Sequence, residues 1–141
     1  MASIYNDIRA ALESRLSNIS NIPSIAYENV PFDPVVGTSY VQSKFIPTLR
    51  RSAVMGSPNP EQRYQGVYAV TPHTPEKLGP SVADDLSNDI IESFEATTDI
   101  SFTNSSNETI IVSINYAERQ QGFLDSPWYY VPINIGWYIY K

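Results

Sequence analysis

The hydrophobic pattern is clearest near the end of the chain. Between Ser126 and Lys141, the residues Val131, Ile133, Ile135, Trp137 and Ile139 fall on one side of a two-residue period. Tyr130, Pro132, Asn134, Gly136, Tyr138 and Tyr140 fall on the other. This predicts one long β-strand with an aliphatic face and an aromatic face whose hydroxyls require water or a partner. Pro132 has no N–H for a ladder, so the strand edge beside it should be free, bulged or turned towards another chain. A strand in this position predicts that the C-terminus closes the sheet.

At the other end, Ile4, Ile8, Ala11, Leu12, Leu16 and Ile19 recur at helical spacing, with Ser3 placed to cap and Asp7 in the first turn. A helix from Ser3 to Leu16 or a little beyond, stopped before Pro23, is expected to lie on a sheet. Ser24 to Asn29 reads as a short strand and Tyr40 to Ile46 as a second, with Val41 and Phe45 on one face. From Pro47 to Gln62 no period survives, which predicts a long loop that either has a function or is disordered. Tyr64 to Val70 is apolar on both faces and reads as a central strand.

Thr71 to Gly79 is expected to be a proline-rich connector. Pro80 or Ser81 then opens a second helix whose buried stripe is Val82, Leu86, Ile90, Ile91 and Phe94. Its other face carries Asp84, Asp85, Asp89, Glu92 and Glu95 without one base. Asp99–Thr103 and Thr109–Glu118 flank Asn104-Ser105-Ser106-Asn107, a hairpin signature, and Arg119 to Ser126 reads as a polar loop. Helix, three strands, helix and three strands predict an α+β fold, a mostly antiparallel mixed sheet covered by two helices, with residues 1–141 as a single domain.

Composition narrows the function. The 141 residues are 42% hydrophobic and 17% charged, an ordinary globular balance, with no cysteine. Disulfides, thiolate zinc sites and cysteine nucleophiles are therefore excluded. The start lacks a basic region followed by an apolar run, and no apolar stretch reaches membrane-spanning length, which predicts a soluble protein made in the cytoplasm with no membrane partner. A net charge of −6 argues against general nucleic-acid binding.

Candidate chemistry is sparse. The single histidine, His73, has no serine or acid at a telling spacing and reads as a loop residue. Asp85, Asp89 and Glu92 share a helix face, which admits a metal reading, but helical carboxylates without histidine or a calcium-loop pattern are usually a solvated face. Gly66 and Gly79 are isolated, so no phosphate loop is present, and three glycosylation-like triplets carry no meaning without a secretion signal. No catalytic, cofactor-binding or metal residue is assigned.

Two features favour assembly instead. Arg50, Arg51 and Arg63 make the long-loop region locally positive, whereas the second helix is strongly negative. In a ring of identical subunits such patches can meet head to tail. Six aromatics between Trp128 and Tyr140 exceed the needs of one small core, which points to an interface. The expected interface residues are Arg50, Arg51, Met55, Arg63, Asp84, Asp85, Asp89, Glu92, Trp128, Tyr130, Tyr138 and Tyr140.

The N-terminal amphipathic helix, the stretch Arg63-Tyr64-Gln65-Gly66-Val67-Tyr68-Ala69-Val70-Thr71-Pro72, the helical stretch Gly79 to Phe94 and the closing Trp128 to Ile135 together resemble the tail terminator (tail completion) proteins of long-tailed bacteriophages. The resemblance covers nearly the whole chain. It implies a small α+β virion subunit, without enzymatic activity or cofactor, forming a hexameric ring on the last ring of the tail tube. Such a ring stops tube polymerisation and offers a surface to the head-side connector, so the implied partners are further copies, the tail tube protein and the head-completion protein. DNA would pass as cargo, and the helix acids would line its channel or lie on the outer face. Residues 48–62 would order on assembly against a backbone entropy of about 1–2 kcal/mol per residue. Alternative readings are a head-closure or connector adaptor of the neck, and a small metal-dependent enzyme using Asp85, Asp89 and Glu92.

Overall fold

A computed structural model describes residues 4–52 and 62–141. Helix α1 spans Ile4–Ser17 and α2 spans Ser81–Ser93; the strands are β1 (Ser24–Ala26), β2 (Tyr40–Ser52), β3 (Gln62–Pro75), β4 (Asp99–Thr103), β5 (Thr109–Arg119), β6 (Phe123–Asp125), β7 (Trp128–Tyr130) and β8 (Ile133–Tyr140). They form one sheet ordered β1-β2-β3-β8-β5-β4, with β7 continuing beside β3 and β6 beside β7. All pairings are antiparallel except β1 with β2. The class is α+β, as the element order predicts.

The alternation of the last stretch places the core. Val131, Ile133, Ile135, Trp137 and Ile139 are all buried, and β3 sets Tyr64, Tyr68 and Val70 beside them in register with Ile139, Ile135 and Ile133. Both helices pack on this face: Ile8, Leu12 and Leu16 from α1, and Ile90 with Phe94 beyond α2, join the same cluster. Neither described helix lies over the opposite face of the sheet.

Trp137 shows how tightly the layer closes. Its ring stacks on Phe45 at 5.2 Å and 12°, although the two lie on strands separated by β3. It crosses above Gly66, where a Cβ would fall 2.7 Å from Trp137 Cζ2 and 2.8 Å from Pro47 Cα. Only glycine leaves that path open. At the far end of α1, the buried Asp7 accepts a hydrogen bond from Asn104 Nδ2 (3.0 Å), whose own Oδ1 takes the amides of Ser106 and Glu108. One side chain thus closes the β4–β5 turn and ties it to α1.

Several expectations change. The predicted loop Pro47–Gln62 is in part strand, because β2 runs to Ser52 and β3 starts at Gln62, paired residue for residue with a bulge between Pro47 and Leu49. Backbone pairing sustains strand there without apolar alternation, and Pro47 sits at the bulge, where a missing N–H costs least. The predicted connector from Thr71 continues β3 to Pro75, the predicted polar loop contains β6, and β1 is shorter than expected. The terminal strand is two strands, β7 and β8, parted at Val131-Pro132, and β8 lies inside the sheet between β3 and β5 rather than closing it. The stripe of α2 is rotated: Val82 is exposed while Ala83 and Ser87 are buried, the Ser87 hydroxyl bonding Ala83 O at 2.7 Å.

Candidate assembly surfaces

The register gathers the predicted basic and aromatic residues at one end of the sheet. β3 sets Arg63 opposite Tyr140 and Gln65 opposite Tyr138 on the face without helices. The Arg63 guanidinium lies 4.9 Å from the Tyr138 ring centroid and 5.5 Å from that of Tyr140. It donates to Tyr140 Oη at 2.9 Å and to Gln65 Oε1 at 3.1 Å. Cation–π contact and two hydrogen bonds hold it in place, and no carboxylate among the described residues pairs with it. Arg50 lies over the Tyr64 ring at 5.4 Å, also without an ion pair. Arg51 enters through its backbone position opposite Arg63, and Met55 lies outside the described residues.

Next to this clamp the helix-free face is apolar in patches. Ile46 stands opposite Val67 and Leu49 opposite Gln65, and Ile46 and Leu49 are 37% and 38% exposed. Tyr116 lies across Gly136, where a Cβ would strike its ring. Among the described residues, exposed Ile46 and Leu49 with half-buried Val67, Tyr116 and Tyr138 give this face the composition of an interface centre.

The acidic surface is on the other layer. Asp85, Asp89, Glu92 and Glu95 are exposed along and just beyond α2; Glu92 accepts from Asn88 at 3.2 Å. Asp84 is set apart, because Arg119 bridges it at 2.6 Å. Arg15 borders the patch but donates to Ser93 O at 2.9 Å. Among the described residues no three acids or histidines converge to hold a metal ion, so Asp85, Asp89 and Glu92 do not form the geometry that the metal reading requires. No helix among those residues is long and apolar enough to cross a membrane.

The remaining predicted residues stand at the opposite end. Trp128 is buried, edge-on to Tyr40 at 5.1 Å, and Tyr130 belongs to a row of stacked rings that sequence reasoning missed. Phe123, Tyr130, His73, Tyr40 and Phe32 follow one another at centroid spacings of 5.5, 5.3, 4.5 and 5.1 Å. His73 is thus a half-buried strand residue, not a loop residue. Burial pushes its pKa down from the usual value, opposed by its Nδ1 contact with Thr71 O (3.0 Å) and by the Asp125 charge. The available signal was the two-residue step from Thr71 to Pro75 beyond a clear strand.

Comparison with known proteins identifies the fold and the family of the chain. A solved structure, of a protein without a descriptive name, matches with a TM-score of 0.71 over 99% of this chain and 97% of the other, at 20% identity, which shows a shared fold. No curated protein matches the chain. The profile of the phage tail terminator protein family matches residues 7–137, and the chain belongs to that family.

Proposed function

We propose that this tail-completion protein forms a closed, hexameric ring on the last ring of the phage tail tube, ends tube polymerisation and presents the surface to which the head side joins. The single observation that carries the reading is family membership over residues 7–137. The fold supports it: a two-layer subunit with one sheet face free of the described helices, and two oppositely charged surfaces on different elements, is suited to assembly rather than to chemistry. The role is structural, with no catalytic residue and no cofactor.

Length control requires only occupancy. A ring that binds the growing end of a tube through one face and offers the next tube subunit no equivalent surface halts growth by excluding the site. The test is polymerisation of purified tail tube protein with this protein added at about one ring per tube. Shorter tubes, each bearing extra density at one end, are expected, and tube lengths unchanged at saturating protein would remove the proposal.

A further inference from the structure

We infer that the helix-free sheet face of one copy, centred on Arg63, docks on the acidic surface of α2 of the next copy, so that the contact between copies is directional. The inference rests on the assembly reading above and names the two surfaces that meet.

Both surfaces carry unneutralised charge. Among the described residues Arg63 has no carboxylate partner, and Asp85, Asp89, Glu92 and Glu95 have no cation. The guanidinium of Arg63 is already held in place by Tyr138, Tyr140 and Gln65. An arginine held in this way loses little side-chain freedom when it meets a carboxylate, and its planar fork suits a paired contact. The tyrosine rings and neighbouring Leu49 supply apolar surface around it, of the kind found at interface centres.

Like charge decides the symmetry. Two copies meeting through the same sheet face would set Arg63 against Arg63, and two meeting through α2 would set acid against acid. Both contacts are repelled, which leaves sheet face against helix layer as the favoured arrangement. That contact is heterologous, and a heterologous contact closes into a ring or runs on as a filament according to its rotation. Asp84 takes no part, since Arg119 already occupies it. The acids of α2 then lie between copies and not on the wall of a channel.

The absence of cysteine makes the test direct. Full-length chains carrying Leu49→Cys alone and Asn88→Cys alone, exposed positions beside Arg63 and Asp89 that leave both charges in place, are given distinguishable masses, mixed and treated with a short bismaleimide. Mixed dimers are expected in about tenfold excess over either like pair; equal yields, or a dominance of like pairs, would overturn the inference. In the unmodified background, Arg63→Glu and Asp89→Lys should each weaken association about a hundredfold, and combining them should restore most of it. A combined variant no tighter than the single ones counts against the contact, provided all retain the parent circular dichroism. Native mass spectrometry separates the two levels of the reading. Closed rings without mixed cross-links refute this contact alone, whereas mixed cross-links in open chains of unlimited length refute the ring and leave the contact standing.

Discussion

Gly66→Ala tests the core packing most sharply. The added methyl would meet Trp137 Cζ2 and Pro47 Cα at 2.7 and 2.8 Å, and the Ile46 carbonyl oxygen as well. Two of these belong to the backbone of β2 at its bulge, and the third to a ring stacked on Phe45, so none can swing aside as a flexible chain end would. Overpacking of this kind costs about 1–3 kcal/mol. The loss of unfolded-chain freedom on replacing glycine returns about 0.4–1 kcal/mol, leaving a net destabilisation of about 1–2 kcal/mol. For a chain of this size that lowers Tm by roughly 3–7 °C. Calorimetry reads the shift, and near-ultraviolet circular dichroism should weaken as Trp137 leaves Phe45. A variant as stable as the parent, or more so, with an unchanged aromatic spectrum, would refute the close crossing of Trp137 over β3.

Other expectations follow from single contacts. Asn104→Ala leaves the Asp7 carboxylate, only 7% exposed, without its partner and opens two turn bonds. It should cost about 2–3 kcal/mol in urea unfolding, and a loss below about 0.5 kcal/mol would show that the tie to α1 is idle. For His73 the folded pKa lies below the unfolded one. The unfolded chain therefore takes the proton first, and stability falls as pH drops through the ordinary histidine value towards the lowered one. His73→Phe keeps a ring in the stack and should flatten the decline in Tm between pH 7 and pH 5. Glu13, whose carboxyl burial raises, acts in the opposite sense in both proteins, so the difference isolates His73; identical pH profiles would contradict the assignment. Tyr140→Ser, at a position 46% exposed, should leave the monomer within about 0.5 kcal/mol of the parent and reduce ring yield in sizing chromatography. A large fall in monomer stability would make Tyr140 a core residue.

The parts of the fold that were legible in the sequence are those where one face is buried. The buried face of β8 could be read because Ile133, Ile135, Trp137 and Ile139 alternate with polar or aromatic neighbours and burial imposes that period, whereas its break from β7 at Val131-Pro132 could not. The outer halves of β2 and β3 could not, because Thr48 to Ser52 is polar but for Leu49 and is extended by hydrogen bonds to a partner strand, information that is non-local. The stripe of α2 was misread for a related reason. Val82 is the more hydrophobic residue, yet small Ala83 and Ser87 let the helix approach β3, and Ser87 satisfies its hydroxyl within the helix. Prolines at 72 and 75 hid the end of β3, and with it the ring stack around His73. Of the assembly residues, composition could place charge on elements, but only the register brought Arg63 under Tyr138 and Tyr140.

The most direct test of the central claim is electron microscopy of lysates from the parent phage with this reading frame silenced. Tails of uncontrolled, excessive length lying free beside filled heads are predicted. Tails of normal length with unattached or emptied heads would place the protein on the head side of the joint, and normal virions would contradict the account altogether.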